Sequence, residues 1–233
     1  MTVTSAAARR AGRRLVIAID GPAGSGKSTA ARAVAHALGV HYLDTGAMYR
    51  GLTLQALRGR VDIRDGRALG RLARRTRLEW RDRANGPPAL LLDGDDVSRA
   101  IHSQRTTHAV STVSAHPEVR HWMVRQQRAF ARARSVVVEG RDIGTVVFPK
   151  APYKFFLIAS PIVRAQRRLG DLRGAGVRAS LSRVQQDIRR RDAIDSRRAV
   201  SPLACARDAV RIDTSSRSPD ETLEEILRYI KRR

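Results

Sequence analysis

Short apolar runs alternate along this chain with longer segments that are typical of helices. The runs that predict strands lie at 15–19, 41–43, 136–138, 153–158 and 210–212. The segments that predict helices lie at 30–38, 48–58, 66–76, 104–113, 117–134, 161–172, 180–198 and 219–230. Because strands and helices alternate, we expect an α/β protein with a parallel sheet and helices on both faces. Ligands of such sheets bind at the carboxyl ends of the strands, so the polar residues after each strand are the functional candidates.

The stretch 61–98 departs from this alternation. Two short apolar runs, at 78–80 and 89–92, flank the turn-forming sequence Asn85-Gly86-Pro87-Pro88. This pattern predicts a small β-hairpin inserted between helical segments.

The first strand leads into a glycine-rich loop at 21–28, Gly-Pro-Ala-Gly-Ser-Gly-Lys-Ser. The loop fits the pattern G-x-x-x-x-G-K-[ST], whose backbone amides bind nucleotide phosphates at the start of a helix. Lys27 would reach the β- and γ-phosphates, and the hydroxyl of Ser28 would bind Mg²⁺. The strand before the loop and the helix after it favour this interpretation over a chance glycine-rich turn.

Carboxylates also stand at strand ends. Glu139 follows the run 136–138, where phosphate-loop proteins carry a carboxylate that holds Mg²⁺ directly or through water. The alternative is an exposed glutamate at a strand end, but the neighbouring Arg141 and Asp142 favour a functional site. Asp20 lies beside the phosphate loop, and its alternative role is that of a structural hydrogen-bond acceptor.

Arginines are concentrated on the predicted helices 161–172 and 180–198. The spacing of Arg191, Asp195 and Arg198 places them on one helix face, which would bind anions. The arginines of the preceding helix are Arg164, Arg167 and Arg168. A glycine-rich joint at 174–176 would let this basic flap move and stabilise charge on a transferring phosphoryl group. The alternative is a solvated ladder of salt bridges.

The length, the cysteine content and the lack of long apolar runs limit the classes of protein to which this chain can belong. The chain has 233 residues, enough for one α/β domain with insertions or for two small lobes. Cys205 is the single cysteine, which excludes a disulfide framework and a cysteine-based zinc site and fits a reducing cytoplasm. No apolar run is long enough to span a membrane. We expect residues 1–14 to form a basic disordered tail, with an organelle transit peptide as the alternative.

The formal net charge is +23, which suggests polyanionic partners. The arginines would either converge on nucleotide phosphates or form a nucleic-acid-binding surface, or they reflect a preference for arginine over lysine in the whole composition. We favour this preference as the main cause, because lysine occurs at four positions only and aromatic residues for base stacking are scarce.

Several segments together resemble bacterial cytidylate kinases. They are Ile-Asp-Gly-Pro at 19–22, Leu-Asp-Thr-Gly-Ala-Met-Tyr-Arg at 43–50, Glu-Gly-Arg-Asp-Ile-Gly-Thr-Val-Val-Phe-Pro at 139–149, Arg-Asp at 191–192 and Arg-Ala-Val-Ser-Pro-Leu at 198–203. Their order and spacing cover the chain from about residue 15 to its end. The resemblance implies a three-layer P-loop NTPase fold that forms one kinase domain over 15–233. It also implies a nucleoside-monophosphate-binding region at about 45–134, with an insert at about 61–98, and a short helical lid at about 164–177.

The resemblance further implies transfer of the γ-phosphoryl group of ATP to CMP or dCMP, with Mg²⁺, in pyrimidine nucleotide metabolism. The residues implied to bind ATP are Gly21, Pro22, Ala23, Gly24, Ser25, Gly26, Lys27, Ser28 and Thr29. Those implied to bind the acceptor nucleotide are Thr45, Arg50, Ser111, Arg120, Arg141, Asp142, Arg191, Asp195 and Arg198.

Among the acceptor residues, those implied to hold the phosphate are Arg50, Arg141 and Arg191. Those implied to recognise the cytosine edge are Ser111, Arg120 and Asp142, and Asp195 and Arg198 would lie near the sugar. The residues expected to act in catalysis are Lys27, Arg141, Arg191, Arg164 and Arg168, and the expected metal ligands are Ser28 and Glu139.

Two other functions stay open. One is a related small-molecule kinase with the same ATP site and a different acceptor. The other is a nucleic-acid-binding protein that uses its basic surface. This function is disfavoured because the residues implied to bind the acceptor are intact and aromatic residues are scarce. We expect a cytoplasmic monomer whose partners are nucleotides, without a membrane or a specific nucleic acid.

Overall fold

The computed structural model describes residues 14–81, 83 and 88–232. The tail expected over 1–14 and the turn expected at 85–88 fall almost wholly outside these residues. The chain forms two compact units. Unit 1 combines the described residues up to Leu43 with those from Ala133 onward, and unit 2 is Asp44–Arg132.

The strands and helices are numbered here in chain order. The strands of the described residues are β1 (Val16–Asp20), β2 (His41–Asp44), β3 (Leu78–Arg81), β4 (Ala89–Leu92), β5 (Asp95–Asp96), β6 (Val136–Gly140), β7 (Tyr153–Ile158) and β8 (Val210–Asp213). The α-helices are α1 (Lys27–Leu38), α2 (Thr45–Arg58), α3 (Gly66–Arg75), α4 (Gln104–Ala115), α5 (Pro117–Ala131), α6 (Pro161–Gly174), α7 (Leu181–Arg197) and α8 (Pro219–Arg232). A 3₁₀-helix covers Ala100–His102, and a π-helix covers Ile143–Val147. Among the described helices, none is long and apolar enough to cross a membrane.

A five-stranded sheet in the order β2-β6-β1-β7-β8 forms the centre of unit 1. β1 pairs in parallel with β6 and β7, and β7 pairs in parallel with β8, which confirms the predicted α/β class. On one face, apolar residues such as Ile17, Phe155 and Ile212 pack with Val34 of α1 and Ile226 of α8. β1 and β6 are almost wholly buried. This sheet therefore fixes the strand ends, where the expected functional residues lie.

Unit 2 contains α2 to α5 and the smaller sheet β3-β4-β5. β3 and β4 pair antiparallel, with Leu78 opposite Leu92, so the predicted hairpin is confirmed. Leu90 and Leu92 pack with Ala47 and Leu54 of α2. The hairpin is thereby stabilised by apolar burial against a helix, which a two-stranded ribbon needs.

Two helices begin earlier than their sequence patterns predicted. α1 begins at Lys27 rather than at residue 30, because the last residues of the phosphate loop already form its first turn. α2 begins at Thr45 rather than at residue 48, because the side chain of Asp44 accepts a hydrogen bond from the amide of Ala47. The residues after β1 and β2 are therefore helix N-termini, which favour negative ligands.

Candidate active site

The phosphate loop adopts a backbone that side chains would obstruct. Gly21 has φ 151°, and a Cβ there would lie 2.1 Å from the carbonyl oxygen of Leu157 in β7. Gly24 has φ 76°, and a Cβ there would lie 2.9 Å from the carbonyl oxygen of Arg164 in α6. Glycine is needed at both positions because the loop lies directly against the backbone of neighbouring elements.

Lys27 and Ser28 open helix α1 at the end of this loop. The buried Nζ of Lys27 donates a hydrogen bond to the carbonyl oxygen of Pro22, 2.9 Å away, across the mouth of the loop. The loop is also tied to the end of β8, because the hydroxyl of Thr214 donates to the carbonyl oxygen of Ser25 at 3.1 Å. The lysine and a set of amides at a helix N-terminus therefore converge on one place, which is suited to an anion.

Glu139 lies on the buried strand β6, next to the phosphate loop. Its Oε2 accepts a hydrogen bond from the hydroxyl of Ser28 at 2.7 Å, and its Oε1 accepts one from the hydroxyl of Tyr42. Ser28 and Glu139, which lie far apart in sequence, thus provide two adjacent oxygen ligands of the kind that Mg²⁺ prefers. Sequence reasoning missed Tyr42; its place in the apolar run 41–43, which forms β2 beside β6, was the available signal.

The residues expected to bind the acceptor in unit 1 form one charged cluster. Arg141 donates from Nε to Asp195 at 2.9 Å, and Arg191 and Arg198 lie 4.0 and 3.8 Å from the same carboxylate. Arg198 also lies 3.6 Å from Asp142. The sequence predicted one helix face for three of these residues; the structure adds the two that follow β6.

The electrostatics of this cluster favour an ionised Asp195. Burial raises the pKa of Asp195, but the three nearby arginines together lower it by more than burial raises it. The pKa of Asp195 is therefore below its ordinary value. The side chains of Arg198, Asp142 and Asp195 are at most 6% exposed. Three cations around two buried carboxylates leave a net positive site, which is suited to a phosphate.

Helix α6, which covers most of the expected lid, contacts the phosphate loop through Arg164. Its Nη1 donates to the carbonyl oxygen of Ala23 at 3.1 Å and to Asp192 of α7 at 2.6 Å. Arg167 donates to the hydroxyl of Thr214 at 2.9 Å. Arg168 lies half-buried on α6. The expected catalytic arginines Arg164 and Arg168 thus lie on the same helix, and Asp192, which sequence reasoning did not assign to the site, holds the first of them.

Unit 2 carries the remaining acceptor residues. Arg50 donates from Nη2 to Asp44 at 2.9 Å, beside the buried Thr45. Arg120, 1% exposed, donates from Nη1 to the carbonyl oxygen of Ser114 at 3.1 Å. These contacts give two preformed polar positions, one at the start of α2 and one between α4 and α5.

The second of these positions also includes the buried Ser111 of α4. The hydroxyl of Ser114 donates to the carbonyl oxygen of Ser111 at 3.2 Å. The guanidinium carbon of Arg120 lies 5.3 Å from the centre of the Tyr49 ring, a cation–π distance. Arg120 is therefore fixed in its buried position by a carbonyl and by an aromatic face.

Comparison with known proteins agrees with this chemistry. The family model described as cytidylate kinase matches residues 17–232. A cytidylate kinase of Symbiobacterium thermophilum is 47% identical over 220 residues, covering 94% of this chain and 97% of the relative. Cytidylate kinases of Geobacillus kaustophilus and Mycobacterium leprae are 47% and 48% identical over 221 residues each, covering 95% and 94% of this chain and 98% and 96% of the relatives.

Proposed function

We infer the reaction from the premise that the chain belongs to the cytidylate kinase family: it transfers the γ-phosphoryl group of ATP to CMP or dCMP, giving ADP and CDP or dCDP. The observation that carries this conclusion is the match of the family over almost the whole chain. The phosphate loop and the arginine cluster of unit 1 have the charge that such a reaction needs.

The loop 21–29 binds the phosphates of ATP. Lys27 exchanges its contact with Pro22 for the β- and γ-phosphates when ATP is bound. Arg164 and Arg168 stabilise the negative charge that develops on the transferring group. Since phosphoryl transfer requires mainly positioning and positive charge, this set needs no covalent nucleophile of the protein.

The acceptor nucleotide is recognised by two chemistries. Arg50, Arg141 and Arg191 bind its phosphate, for which the planar guanidinium group offers paired donors. The amino group of cytosine requires an acceptor such as a carboxylate or a hydroxyl, and its O2 and N3 require donors. Asp142, Ser111 and Arg120 supply these groups, while Asp195 and Arg198 contact the sugar.

Mg²⁺ fits the pair formed by Ser28 and Glu139. The two side chains share a hydrogen bond, so their oxygens face one small region beside the phosphate loop. Mg²⁺ commonly uses one or two protein oxygens and completes its shell with water and phosphate oxygens. When bound, the ion neutralises charge on the β- and γ-phosphates.

We extend the proposal to the setting of the enzyme. A reducing cytoplasm fits the lone Cys205, the resemblance to the family implies a monomer, and the reaction belongs to pyrimidine nucleotide metabolism. Sedimentation at several protein concentrations tests the oligomeric state.

Release of ADP tests the reaction, with ATP, Mg²⁺ and each of CMP, dCMP, UMP, AMP, GMP and dTMP as acceptor. We expect strong turnover with CMP and dCMP and little with the others. A folded protein that binds ATP but phosphorylates none of these six nucleotides would contradict the proposed reaction and indicate a different acceptor.

Arg141→Ala tests the assignment of the acceptor phosphate. We expect kcat/KM for CMP to fall on the order of 100-fold or more, because a charged contact to the acceptor is lost while the fold survives. Arg75→Ala is the matched control, since Arg75 is exposed on α3 and belongs to no proposed site. Wild-type turnover in Arg141→Ala would remove this assignment.

A further inference from the structure

Asp20 makes an unusual set of contacts at the end of β1. Its side chain is buried, and its two carboxylate oxygens accept hydrogen bonds from successive backbone amides, Ile143 at 2.9 Å and Gly144 at 2.7 Å. These amides belong to the first residues of the π-helix, which follows β6. Asp20 therefore caps a helix that lies more than 120 residues away in sequence.

The capping residue expected from local sequence is a different aspartate. Asp142 occupies the N-cap position of the π-helix, yet its side chain makes no capping hydrogen bond. An aspartate at this position normally accepts a bond from the first turn of its own helix. Because Asp20 satisfies these amides instead, the carboxylate of Asp142 extends toward Arg198, 3.6 Å away.

A second buried charge holds the same segment. The side chain of Lys154 from β7 passes Gly144, and a Cβ added at Gly144 would lie 3.2 Å from the Cδ of Lys154. Its Nζ donates to the carbonyl oxygen of Pro149 at 2.6 Å and pairs with Asp208. The segment 141–149 is thus anchored at its start by a residue of β1 and at its end by a residue of β7.

We propose that Asp20 is a positioning residue for the acceptor nucleotide: it caps the π-helix from the neighbouring strand, so that Asp142 and Arg141 are directed toward the acceptor. The inference rests on the proposed function, in which both residues contact CMP. Asp20 also precedes Gly21 directly and pairs with Gly140 across the sheet. The Asp20 side chain thereby holds the start of the acceptor-binding segment beside the strand end that leads into the phosphate loop.

The surroundings of Asp20 make its charge depend on pH near neutrality. Burial raises the pKa of Asp20 to about 7, although the two amide hydrogen bonds lower it. The charge of Asp142 raises this pKa further, and Arg141 lowers it. Burial raises the pKa of the Cys205 thiol, and the charge of Asp20 adds to that increase. The ionised form accepts two strong hydrogen bonds, whereas the protonated form has one good acceptor oxygen.

Asp20→Asn tests the proposal, because asparagine keeps the size of the side chain and one of its two acceptor oxygens. We expect kcat/KM for CMP to fall on the order of 10- to 100-fold, mainly through a higher KM for CMP, as small misplacements of binding groups have such effects. The dissociation constant for ATP, measured separately by calorimetry, should stay within about 3-fold of the wild-type value, since the loop keeps its glycines and Lys27.

Asp65→Asn is the matched control. Asp65 also accepts a backbone amide hydrogen bond, from Ala68, as the N-cap of α3 in unit 2. Asparagine is an equally good cap there, so both kinetic constants should keep their wild-type values. Far-UV circular dichroism confirms that each variant is folded.

Three outcomes would overturn the proposal. The first is a folded Asp20→Asn enzyme with wild-type KM for CMP, and the second is an equal loss of CMP and ATP affinity, which indicates a general structural defect. If Asp20→Asn does not fold, the wild-type protein is titrated with CMP and with ATP from pH 8 to pH 6. As Asp20 is protonated, the affinity for CMP should then fall at least about 3-fold more than the affinity for ATP. An equal fall of the two affinities is the third overturning outcome.

Arg141→Ala separates this inference from the proposed function. If Arg141→Ala keeps wild-type turnover of CMP, the acceptor assignment itself fails, whatever Asp20→Asn does. If Arg141→Ala loses turnover and Asp20→Asn does not, the acceptor assignment stands and the positioning role of Asp20 is wrong.

Discussion

Several buried charges of unit 1 have partners that lie far away in sequence. Glu139 accepts hydrogen bonds from Tyr42 and Ser28, and Asp195 lies among three arginines. Lys154, 5% exposed, pairs with Asp208. A buried charge without such a partner would cost several kcal/mol. Each ionised side chain therefore marks a place where distant segments must meet for the fold to be stable.

Asp20 gives a prediction for the pH dependence of stability. Its folded pKa is about 7, whereas the ordinary value, which the unfolded chain has, is 3.8. Between these values the folded chain keeps a proton that the unfolded chain releases, so the free energy of unfolding falls as the pH rises through this window.

Urea unfolding of the wild type and of Asp20→Asn at pH 5 and pH 8 measures this effect. Relative to the variant, the wild type should lose on the order of 1 to 3 kcal/mol between the two pH values. Asp195, whose lowered pKa acts in the opposite direction, is present in both proteins and cancels in the comparison. Parallel pH dependences in the two proteins would show that Asp20 does not hold the extra proton.

Among the structural elements, the phosphate loop has the least tolerance for change. Gly21 and Gly24 both have positive φ and lie against the backbone of β7 and α6. The joint between α6 and α7 differs, because Gly176 has φ 74° but a Cβ there would meet nothing within 4 Å. Apolar residues of the two helices, among them Leu169 and Ile188, pack together. The joint therefore requires glycine for its turn, while the loop requires it for both conformation and space.

Two glycine-to-alanine substitutions should have opposite effects. Gly24→Ala places a Cβ 2.9 Å from the carbonyl oxygen of Arg164, at a strained φ, so we expect ATP affinity to fall at least about 10-fold and stability to fall by about 1 kcal/mol or more.

Gly170→Ala is the comparison, since Gly170 lies inside α6 with nothing within 4 Å of an added Cβ. It should raise the free energy of unfolding by about 0.5 to 1 kcal/mol and leave ATP affinity unchanged, because alanine favours helix. Calorimetric titration with ATP and thermal unfolding measure both effects. Tight ATP binding by Gly24→Ala would show that the loop adapts to a side chain.

For the whole molecule, the net charge of +23 is the dominant property. Some arginines belong to the proposed nucleotide sites, but others, such as Arg67 and Arg71 on α3, are exposed and belong to no site. A surface of this kind attracts any polyanion, and this attraction carries no sequence information. We therefore attribute the charge outside the site to composition rather than to a second function.

This attribution predicts how the protein binds RNA. Two labelled single-stranded RNAs of equal length and different sequence should bind equally well at low salt, and affinity should fall at least about 10-fold between about 50 and 200 mM salt. Fluorescence anisotropy measures both quantities. A strong preference for one sequence that persists at the higher salt concentration would instead favour the nucleic-acid-binding alternative.

The sequence predicted most of the fold because its signals are local. The strand 153–158 was predicted with the bounds that the structure has, and the hairpin of β3 and β4 followed from alternating apolar runs around a turn. Three elements of the described residues were not predicted: the π-helix, the short strand β5 and the 3₁₀-helix at Ala100–His102. The π-helix contains four β-branched residues, which disfavour a helix, and the side chain of Asp20 stabilises it from another strand. The short strand β5 follows an Asp93-Gly94 turn with positive φ at both residues, a signal that was present in the sequence.

By itself, the sequence determined the α/β class, the glycine-rich loop and the residue types proposed to bind phosphate, because strand–helix alternation, glycine spacing and arginine are local features. Only the tertiary structure decided which distant groups pair: Tyr42 with Glu139, Asp192 with Arg164, and Asp20 with the π-helix. These pairs depend on which strands are neighbours and on which side chains lose water together. Packing and the need to satisfy every buried charge decide which distant groups pair, and no single segment contains this information.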